Sequence, residues 1–397
     1  MDLSNLIRAL SLTFLVSLLP KSAQAQTQPP LPPPVAFQEA LLKAGNDLFT
    51  NANLQDAPEK VTLVIDPLID GNTGSQSRAT QSMGRQLSEL VKKSYPRFEV
   101  ARFSASALDR QPVVLIGTFT AINIGGVATG PRDAYRICLA LADLKSRKLI
   151  SKGFARALPQ GIDPTPIAFF NDSPVFVKDP AVDGYVRSCQ GTKAGDPIQQ
   201  AYIDRIVVAA LVSDAIEAYN GRKYKDALEL YQRAAKTEGG EQLRVLNGIY
   251  LANWRLNKRA AAEEAFGNIV DYGLKTDADH RLAVKFLFAK NSSRFDRREA
   301  EYPMWVKEVA QHTAKASGCL EITGHTSPTG PAELNDRLSH LRAEYVRDRL
   351  VEQAKGLHQR LITNGVGSRQ VLVGTGKDDA SDALDRRVEF KTISCSN

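Results

Sequence analysis

A possible nucleophile and a possible base lie close together in Gly324-His325-Thr326-Ser327, where Ser327 follows His325 by two positions. A serine hydroxyl becomes a nucleophile when a base removes its proton and a third group orients that base. No acid in this stretch is placed to orient His325, and the chain contains neither Gly-x-Ser-x-Gly nor His-Glu-x-x-His. The sequence does not favour a hydrolase, and we predict that the protein is not an enzyme.

A second candidate for chemistry is residues 374–377, Gly-Thr-Gly-Lys, which resemble the end of a phosphate-binding loop. That loop requires a glycine where this chain has Val371 and a Ser or Thr where it has Asp378. An acid beside the lysine would repel phosphate, so we expect a turn. The five histidines are scattered and there is no Cys-x-x-Cys, so we expect neither a metal site nor a cofactor.

The stretch from Ile322 to Leu350, together with Asp385-Arg386-Arg387-Val388-Glu389, contains several short motifs in a fixed order. This set of motifs resembles the signature of the OmpA-like peptidoglycan-binding domain and covers about the last quarter of the chain. The matching residues are Gly324, His325, Thr326, Gly330, Asn335, Leu338, Ser339, Arg342, Ala343 and Val346.

The resemblance implies a ligand that carries both charges, the diaminopimelate residue of the peptidoglycan stem peptide. It implies that Arg342 holds the ligand carboxylate through a forked, charge-assisted contact. Family members typically have an aspartate directly after Gly-His-Thr to hold the ammonium, but this chain has Ser327. We therefore expect a weakened site made of Arg342, Ser327, Thr326 and Asn335, with Asp336 as a substitute acid.

Simpler roles stay open for several of these residues. Gly324 and Gly330 are also typical turn residues. Arg342 lies at the edge of a helix face whose spacing predicts a core, so a surface salt bridge is an alternative. Arg387 borders a strand that alternates Val388 and Phe390, and we expect it to pair within the domain.

The first residues have the pattern of a cleaved secretory signal: Arg8, an apolar run from Ala9 to Leu19, and Ala23-Gln24-Ala25 as a cleavage site. We expect a mature chain from about Gln26, a periplasmic location, and the outer membrane as a further candidate location. No later stretch approaches the ~20 apolar residues of a membrane helix, so we expect no transmembrane segment in the mature chain.

Four cysteines in an oxidising compartment allow three pairings. We favour Cys319 with Cys395, because one precedes a strand and the other follows the last strand, and those ends meet if the strands are antiparallel. Cys138 and Cys189 then pair with each other.

Between a proline-rich spacer and about Ala194, the pattern of strand, long helix, strands and a closing hairpin predicts a mixed α/β domain. This order is similar to the CsgG-like and LpoB-like domains of envelope assembly proteins, and the resemblance implies a protein-binding module. An unrelated α/β domain is the alternative. Residues 158–197 are rich in Pro, Gly and Asp and predict a long irregular connection.

The next segment is helical and contains an internal repeat, since Ala227, Tyr231 and Ala234 recur 35 positions later as Ala262, Phe266 and Ile269. The spacing is close to the ~34-residue tetratricopeptide period. The segment resembles that family, which implies peptide or protein binding; a helical spacer is the alternative.

The expected fold is thus multidomain α/β plus α, ending in an OmpA-like βαβαβ domain. The net charge of +7 favours anionic envelope polymers or headgroups over nucleic acid. We predict a non-catalytic adaptor that binds peptidoglycan and recruits an envelope protein partner. The alternatives are an interaction scaffold that no longer binds the wall and a regulator of a cell-wall synthase. The expected boundaries are 1–25 for the signal, 26–58 for the spacer and a short helix, 59–198, 199–281 and 282–397.

Overall fold

The computed structural model describes residues 32–54, 58–130, 132–176, 179–276, 281–288, 292–296, 300–377 and 380–395, all within one compact unit. The expected signal sequence and its cleavage site lie outside the described residues.

A five-stranded mixed sheet forms the N-terminal part. Its strand order is β2-β1-β3-β4-β5; β1 is parallel to β2 and β3, and β3, β4 and β5 are antiparallel neighbours. The elements are α1 (Phe37–Thr50), β1 (Val61–Ile65), α2 (Arg78–Ser94), β2 (Phe98–Ala101), α3 (Ala105–Leu108), β3 (Val113–Ile122), β4 (Ala134–Asp143) and β5 (Lys148–Ala157). Every residue of β3 is buried, because it is the central strand and both faces of the sheet are covered.

Residues 158–197 are not the irregular connection that their composition predicts. They contain α4 (Ala168–Asp172), β6 (Val175–Phe176) and α5 (Pro180–Cys189). Asp179 accepts a hydrogen bond from the Val182 N–H, and Pro180 occupies the first helical position, so a Pro and an Asp here begin a helix.

Two helical hairpins follow, and their turns repeat. The helices are α6 (Gln200–Ile203), α7 (Ile206–Asn220), α8 (Tyr224–Lys236), α9 (Leu243–Arg255) and α10 (Arg259–Thr276). Arg222 and Asn257, 35 residues apart, both have φ near 59°, and the N–H groups before and after them bond to equivalent carbonyls. The internal repeat is thus also a repeat of structure, while its tetratricopeptide assignment stays a prediction.

The C-terminal part contains a second five-stranded sheet, with order β6-β7-β10-β8-β9. Its further elements are β7 (Arg281–Val284), α11 (Tyr302–Lys315), β8 (Cys319–Gly324), α12 (Ala332–Gln353), β9 (Leu361–Gly365) and β10 (Val388–Ile393). The order is therefore βαβαβ followed by a last strand that lies in the middle of the sheet. The edge strand β6 comes from the segment before the helical hairpins, which sequence reasoning did not predict.

One hydrophobic core extends from the helical hairpins into the C-terminal sheet, from Val208 in α7 to Phe390 in β10. The two disulfides join the favoured pairs, Cys138–Cys189 and Cys319–Cys395. The second follows from β8 and β10 being antiparallel, with Cys319 opposite Ile393.

Candidate functional site

The motif residues lie on what we call the 325–342 rim: the loop that follows β8 and the N-terminal half of α12. Strand β8 ends at Gly324, and α12 begins at Ala332 after Pro331. Ser339, Ala343, Val346 and Leu350 face the core, as their helical spacing predicts.

Glycines set how closely α12 approaches the sheet. A Cβ on Gly324 would lie 2.0 Å from the Ser339 carbonyl oxygen, and a Cβ on Gly365 would lie 2.5 Å from the His340 nitrogen. The simple turn role considered for Gly324 is therefore wrong, because this residue ends a strand beneath a helix. Gly330 does occupy a turn, with φ of +90° and open space around it.

The loop part of the rim is closed by its own hydrogen bonds. The Asn335 side chain donates to the Thr329 carbonyl (3.1 Å), and the Thr326 N–H donates to the Gly367 carbonyl (2.9 Å). Thr326, Ser327 and Asn335 are all buried. Asn335 thus shapes the loop rather than presenting an amide to solvent.

Asp336, expected as a substitute acid, is already paired. Its Oδ1 lies 2.5 Å from Arg369 Nη1, and its side chain is 44% exposed. It also lies beside Gly367, where an added Cβ would come within 2.2 Å of the same oxygen. The carboxylate is therefore near the Thr326 loop but is held by an arginine that sequence reasoning did not connect to it.

Arg342 is buried and does not lie on the surface. It is 5% exposed, its guanidinium carbon lies 4.6 Å from the centre of the Phe288 ring, and its Nε donates to the Ser292 carbonyl. Phe295 packs on Tyr345 of α12 at 5.0 Å and so fixes this covering segment to the same helix. The arginine faces Phe288 and Ser292, whereas Asp336 faces Gly367 and Arg369. The structure brings the predicted residues onto one rim, where Arg342 and Asp336 contact different partners.

The residues around Arg387 have structural roles. Arg387 is 3% exposed, and its Nε lies 2.7 Å from Glu389 Oε1, as expected from pairing within the domain. Asp385 accepts hydrogen bonds from the N–H groups of Leu372, Val373 and Gly374. Burial raises the pKa of the Asp385 carboxyl, against the effect of these donors. The glycine-rich stretch there is a turn that a carboxylate organises.

Two absences concern only the described part of the chain. Its His, Cys, Asp and Glu side chains form no group of three or more that could hold a metal ion. None of its helices combines the length and the apolar composition that crossing a bilayer requires.

Comparison with known proteins identifies the C-terminal part. Residues 287–383 match the model of the OmpA family. Over 119 residues the chain is 32% identical to outer membrane protein Omp38 of Acinetobacter baumannii, and this stretch is 30% of this chain and 32% of Omp38. The chain therefore spans about a third of the length of that relative. The C-terminal domain is OmpA-like, which confirms the resemblance drawn from its motifs.

Two solved structures are similar over the same part. The cell wall anchor of the T6SS from Pseudomonas aeruginosa is 24% identical, with 29% of this chain and 80% of that chain covered and a TM-score of 0.25. The peptidoglycan-associated lipoprotein from Burkholderia pseudomallei is 26% identical, with 28% of this chain and 89% of that chain covered and a TM-score of 0.24.

Proposed function

We propose that the protein is a non-catalytic adaptor of the periplasm whose OmpA-like domain docks on peptidoglycan while its other parts recruit an envelope protein. The observation that carries this proposal is the OmpA family match over residues 287–383, which includes the complete Asn335 to Val346 motif. The proposed ligand is the diaminopimelate of the stem peptide, with Arg342 as the residue that holds its carboxylate.

Arg342 is suited to this role by its chemistry and its depth. A guanidinium in a water-poor site forms a forked contact with a carboxylate that is stronger than a contact between neutral groups. Its Nε now bonds to the backbone carbonyl of Ser292. In the proposed complex a ligand carboxylate replaces that carbonyl, so Phe288 and Ser292 must move away from α12 when the wall binds.

The contacts that this chain offers to the ligand ammonium are weaker than those it offers to the ligand carboxylate. Ser327 supplies a hydroxyl without charge, and Asp336 is held by Arg369. A hydrogen bond to a charged group contributes roughly 1.5 to 3 kcal/mol. We therefore expect wall binding about tenfold to a hundredfold weaker than in a domain with aspartate at position 327.

The adaptor role rests on how the parts are joined. The core shared by the helical hairpins and the C-terminal sheet makes these two parts one body, so a wall contact also fixes the helices in place. The CsgG-like and LpoB-like resemblance of the α/β domain and the tetratricopeptide resemblance of the hairpins both imply protein partners. Export by a cleaved signal belongs to the same proposal.

Co-sedimentation with purified sacculi tests the wall-binding claim. We expect the mature protein to sediment with sacculi, Arg342→Ala to reduce binding at least tenfold, and Ser327→Asp to strengthen it. The matched control is Arg347→Ala on the same helix, which removes an arginine that pairs with its neighbour Asp348. That variant should bind like wild type. Circular dichroism checks that each variant is folded.

One observation favours a second function. Because Arg342 is 5% exposed beneath Phe288 and Ser292, the domain could have been retained for protein contacts alone. In that case sacculi fail to retain the wild type, or Arg342→Ala and Ser327→Asp both leave sedimentation unchanged. The first result rejects wall docking and supports an interaction scaffold, and the second rejects Arg342 and Ser327 as the residues that bind the wall.

A further inference from the structure

Exposed apolar side chains collect at one end of the N-terminal sheet. Ile124 and Val127 lie in the turn between β3 and β4 and are 59% and 54% exposed. Phe154 on β5 is 47% exposed, and Leu158, which directly follows β5, is 39% exposed. The sheet register places the end of β3, the start of β4 and the end of β5 together, so Ile124, Val127 and Leu158 lie at one end of the sheet, and Phe154 lies opposite Cys138, further along β5.

The turn that carries Ile124 and Val127 is held in shape. Asn123 Oδ1 accepts a hydrogen bond from the Val127 N–H (3.2 Å), and Asn123 Nδ2 donates to the Thr129 carbonyl (3.0 Å). Exposing two aliphatic side chains on an ordered turn is unfavourable in water. An apolar patch bordered by polar groups marks a contact surface.

Cations border these apolar side chains. Arg136 and Arg156 are direct cross-strand neighbours, and both reach back to carbonyls of the turn, at Gly126 and Ile124 respectively. Lys152 lies over the Phe154 ring at 5.1 Å and donates to the Cys189 carbonyl. We call Arg136, Lys152 and Arg156, together with the four apolar residues, the basic end of the sheet.

The partners of these cations are mostly uncharged. Arg136 also donates to the Gln190 side chain, Lys152 to Thr192, and Arg156 to the Pro32 carbonyl. Within the described residues none of the three cations forms an ion pair, and the buried Nε atoms of Arg136 and Arg156 have no hydrogen-bond partner there. Buried charges are normally paired, so the cluster lacks an anion.

Burial lowers the pKa of two of these cations, Arg136 and Lys152. For Lys152 the pKa falls to about 8, although the nearby Asp196 acts in the opposite direction. With a pKa of about 8, Lys152 still carries a positive charge at neutral pH. A bound anion would therefore relieve the unfavourable desolvation of these charges.

We propose that the basic end of the sheet docks on an anionic lipid surface, with Ile124 and Val127 entering the headgroup region and the half-buried Arg136 and Lys152 binding lipid phosphates, while the buried Arg156 holds the turn. Phosphate satisfies the cations, and the headgroup boundary accommodates the exposed apolar side chains, which a free phosphate ion would leave in water. The adaptor would then contact a membrane through its α/β domain, by residues that take no part in wall binding.

Vesicle flotation with the mature protein tests this proposal without peptidoglycan. We expect binding to vesicles of phosphatidylglycerol and phosphatidylcholine, none to phosphatidylcholine alone, and weaker binding at high salt. Ile124→Asp should reduce partitioning at least tenfold, while the matched control Ile362→Asp, an isoleucine 46% exposed on β9, should not. Lys152→Gln should reduce it about fivefold, the typical contribution of one cation at an anionic surface.

Two results would overturn the docking surface. One is that anionic vesicles fail to bind the protein, or bind Ile124→Asp as well as wild type. The other is that inorganic phosphate alone raises the melting temperature of wild type, and not of Lys152→Gln, while wild type does not bind vesicles. That outcome assigns the cluster to a free anion. Because Ile124 is at an exposed turn, failure to fold does not confound its variant.

Discussion

At the scale of single residues, Gly324 shows how a backbone contact positions the rim. Its missing side chain lets α12 lie against the end of β8, where an added methyl group would meet the Ser339 carbonyl oxygen at 2.0 Å. A backbone oxygen inside a packed helix cannot move aside cheaply. We predict that Gly324→Ala lowers the free energy of unfolding by about 3 kcal/mol, at the upper end of overpacking effects.

Urea unfolding measures this effect, and Gly356→Ala is the matched control. A Cβ on Gly356 meets no atom within 4 Å, so that change should alter stability by less than about 1 kcal/mol. Equal effects of the two substitutions would show that α12 does not approach β8 as described.

Asp66 is a buried acid outside the rim. It follows β1, is 5% exposed, and accepts a hydrogen bond from the Tyr202 hydroxyl at 2.8 Å. Burial raises the pKa of its carboxyl from 3.8 to about 7, partly offset by the Tyr202 hydrogen bond. In the unfolded chain the group ionises near pH 4, whereas in the folded protein it stays protonated up to about pH 7.

Between pH 4 and pH 7 the unfolded chain has released the Asp66 proton, while the folded protein still holds it. The stability that protonated Asp66 contributes below pH 4 is therefore lost as the pH rises through 7. Asp66→Asn removes that loss, and we predict a variant that becomes more stable than wild type by a few kcal/mol, roughly, at pH 8 but not at pH 4. Urea unfolding at both pH values checks this, with the exposed Asp109→Asn as control. A difference that does not change with pH would contradict it.

The sequence motifs predicted where the rim residues lie, but they did not predict which other residues those side chains contact. The positions of Asn335 and Arg342 on one helix follow from their spacing, and the Cys319–Cys395 bond follows from antiparallel strands. The pairing of Asp336 with Arg369 joins residues 33 positions apart through a loop packing that no local pattern encodes.

At the scale of elements, Asp179 organises the connection between the two sheets. One of its carboxylate oxygens accepts the Val182 N–H in α5, and the other accepts the Leu243 N–H at the start of α9. A single side chain thus caps two helices, and it is 2% exposed. We predict that Asp179→Ala lowers the free energy of unfolding by about 2 to 4 kcal/mol, since both N–H groups lose their partner.

Thermal or urea unfolding tests this with Ser104→Ala as the matched control. Ser104 caps only the short helix α3, through the Ala107 N–H. Its loss should cost about 1 kcal/mol or less. If Asp179→Ala is no more harmful than Ser104→Ala, the double cap does not stabilise the junction.

Long periodic elements were predictable, and short ones were not. The apolar face of α2 and the alternation in β10 both have enough residues to show a period. Strand β6 has two residues and α4 has five, which is too few for any periodicity. The composition of residues 158–197 therefore predicted an irregular connection, although Asp179 followed by Pro180 is a helix-start signal.

At the scale of the whole molecule, the parts are joined more closely than a chain of separate modules. Strand β6 extends the C-terminal sheet, and Arg132 and Asn72 of the α/β domain donate to the carbonyls of Val371 and Leu372 in the OmpA-like domain. The OmpA-like C-terminal domain was predictable from its motifs, whereas the tetratricopeptide assignment of the hairpins and the CsgG-like or LpoB-like assignment of the α/β domain stay predictions. Their junctions depend on contacts between residues up to 300 positions apart, which no local pattern contains.

The central claim is that Arg342 recognises the diaminopimelate carboxylate of the wall. Displacement of wild-type protein from sacculi by soluble stem peptides tests it most directly. We predict that a peptide containing diaminopimelate releases the protein, while the same peptide with lysine, which lacks the second carboxylate, does not. Equal release by both peptides, or by neither, would contradict the account.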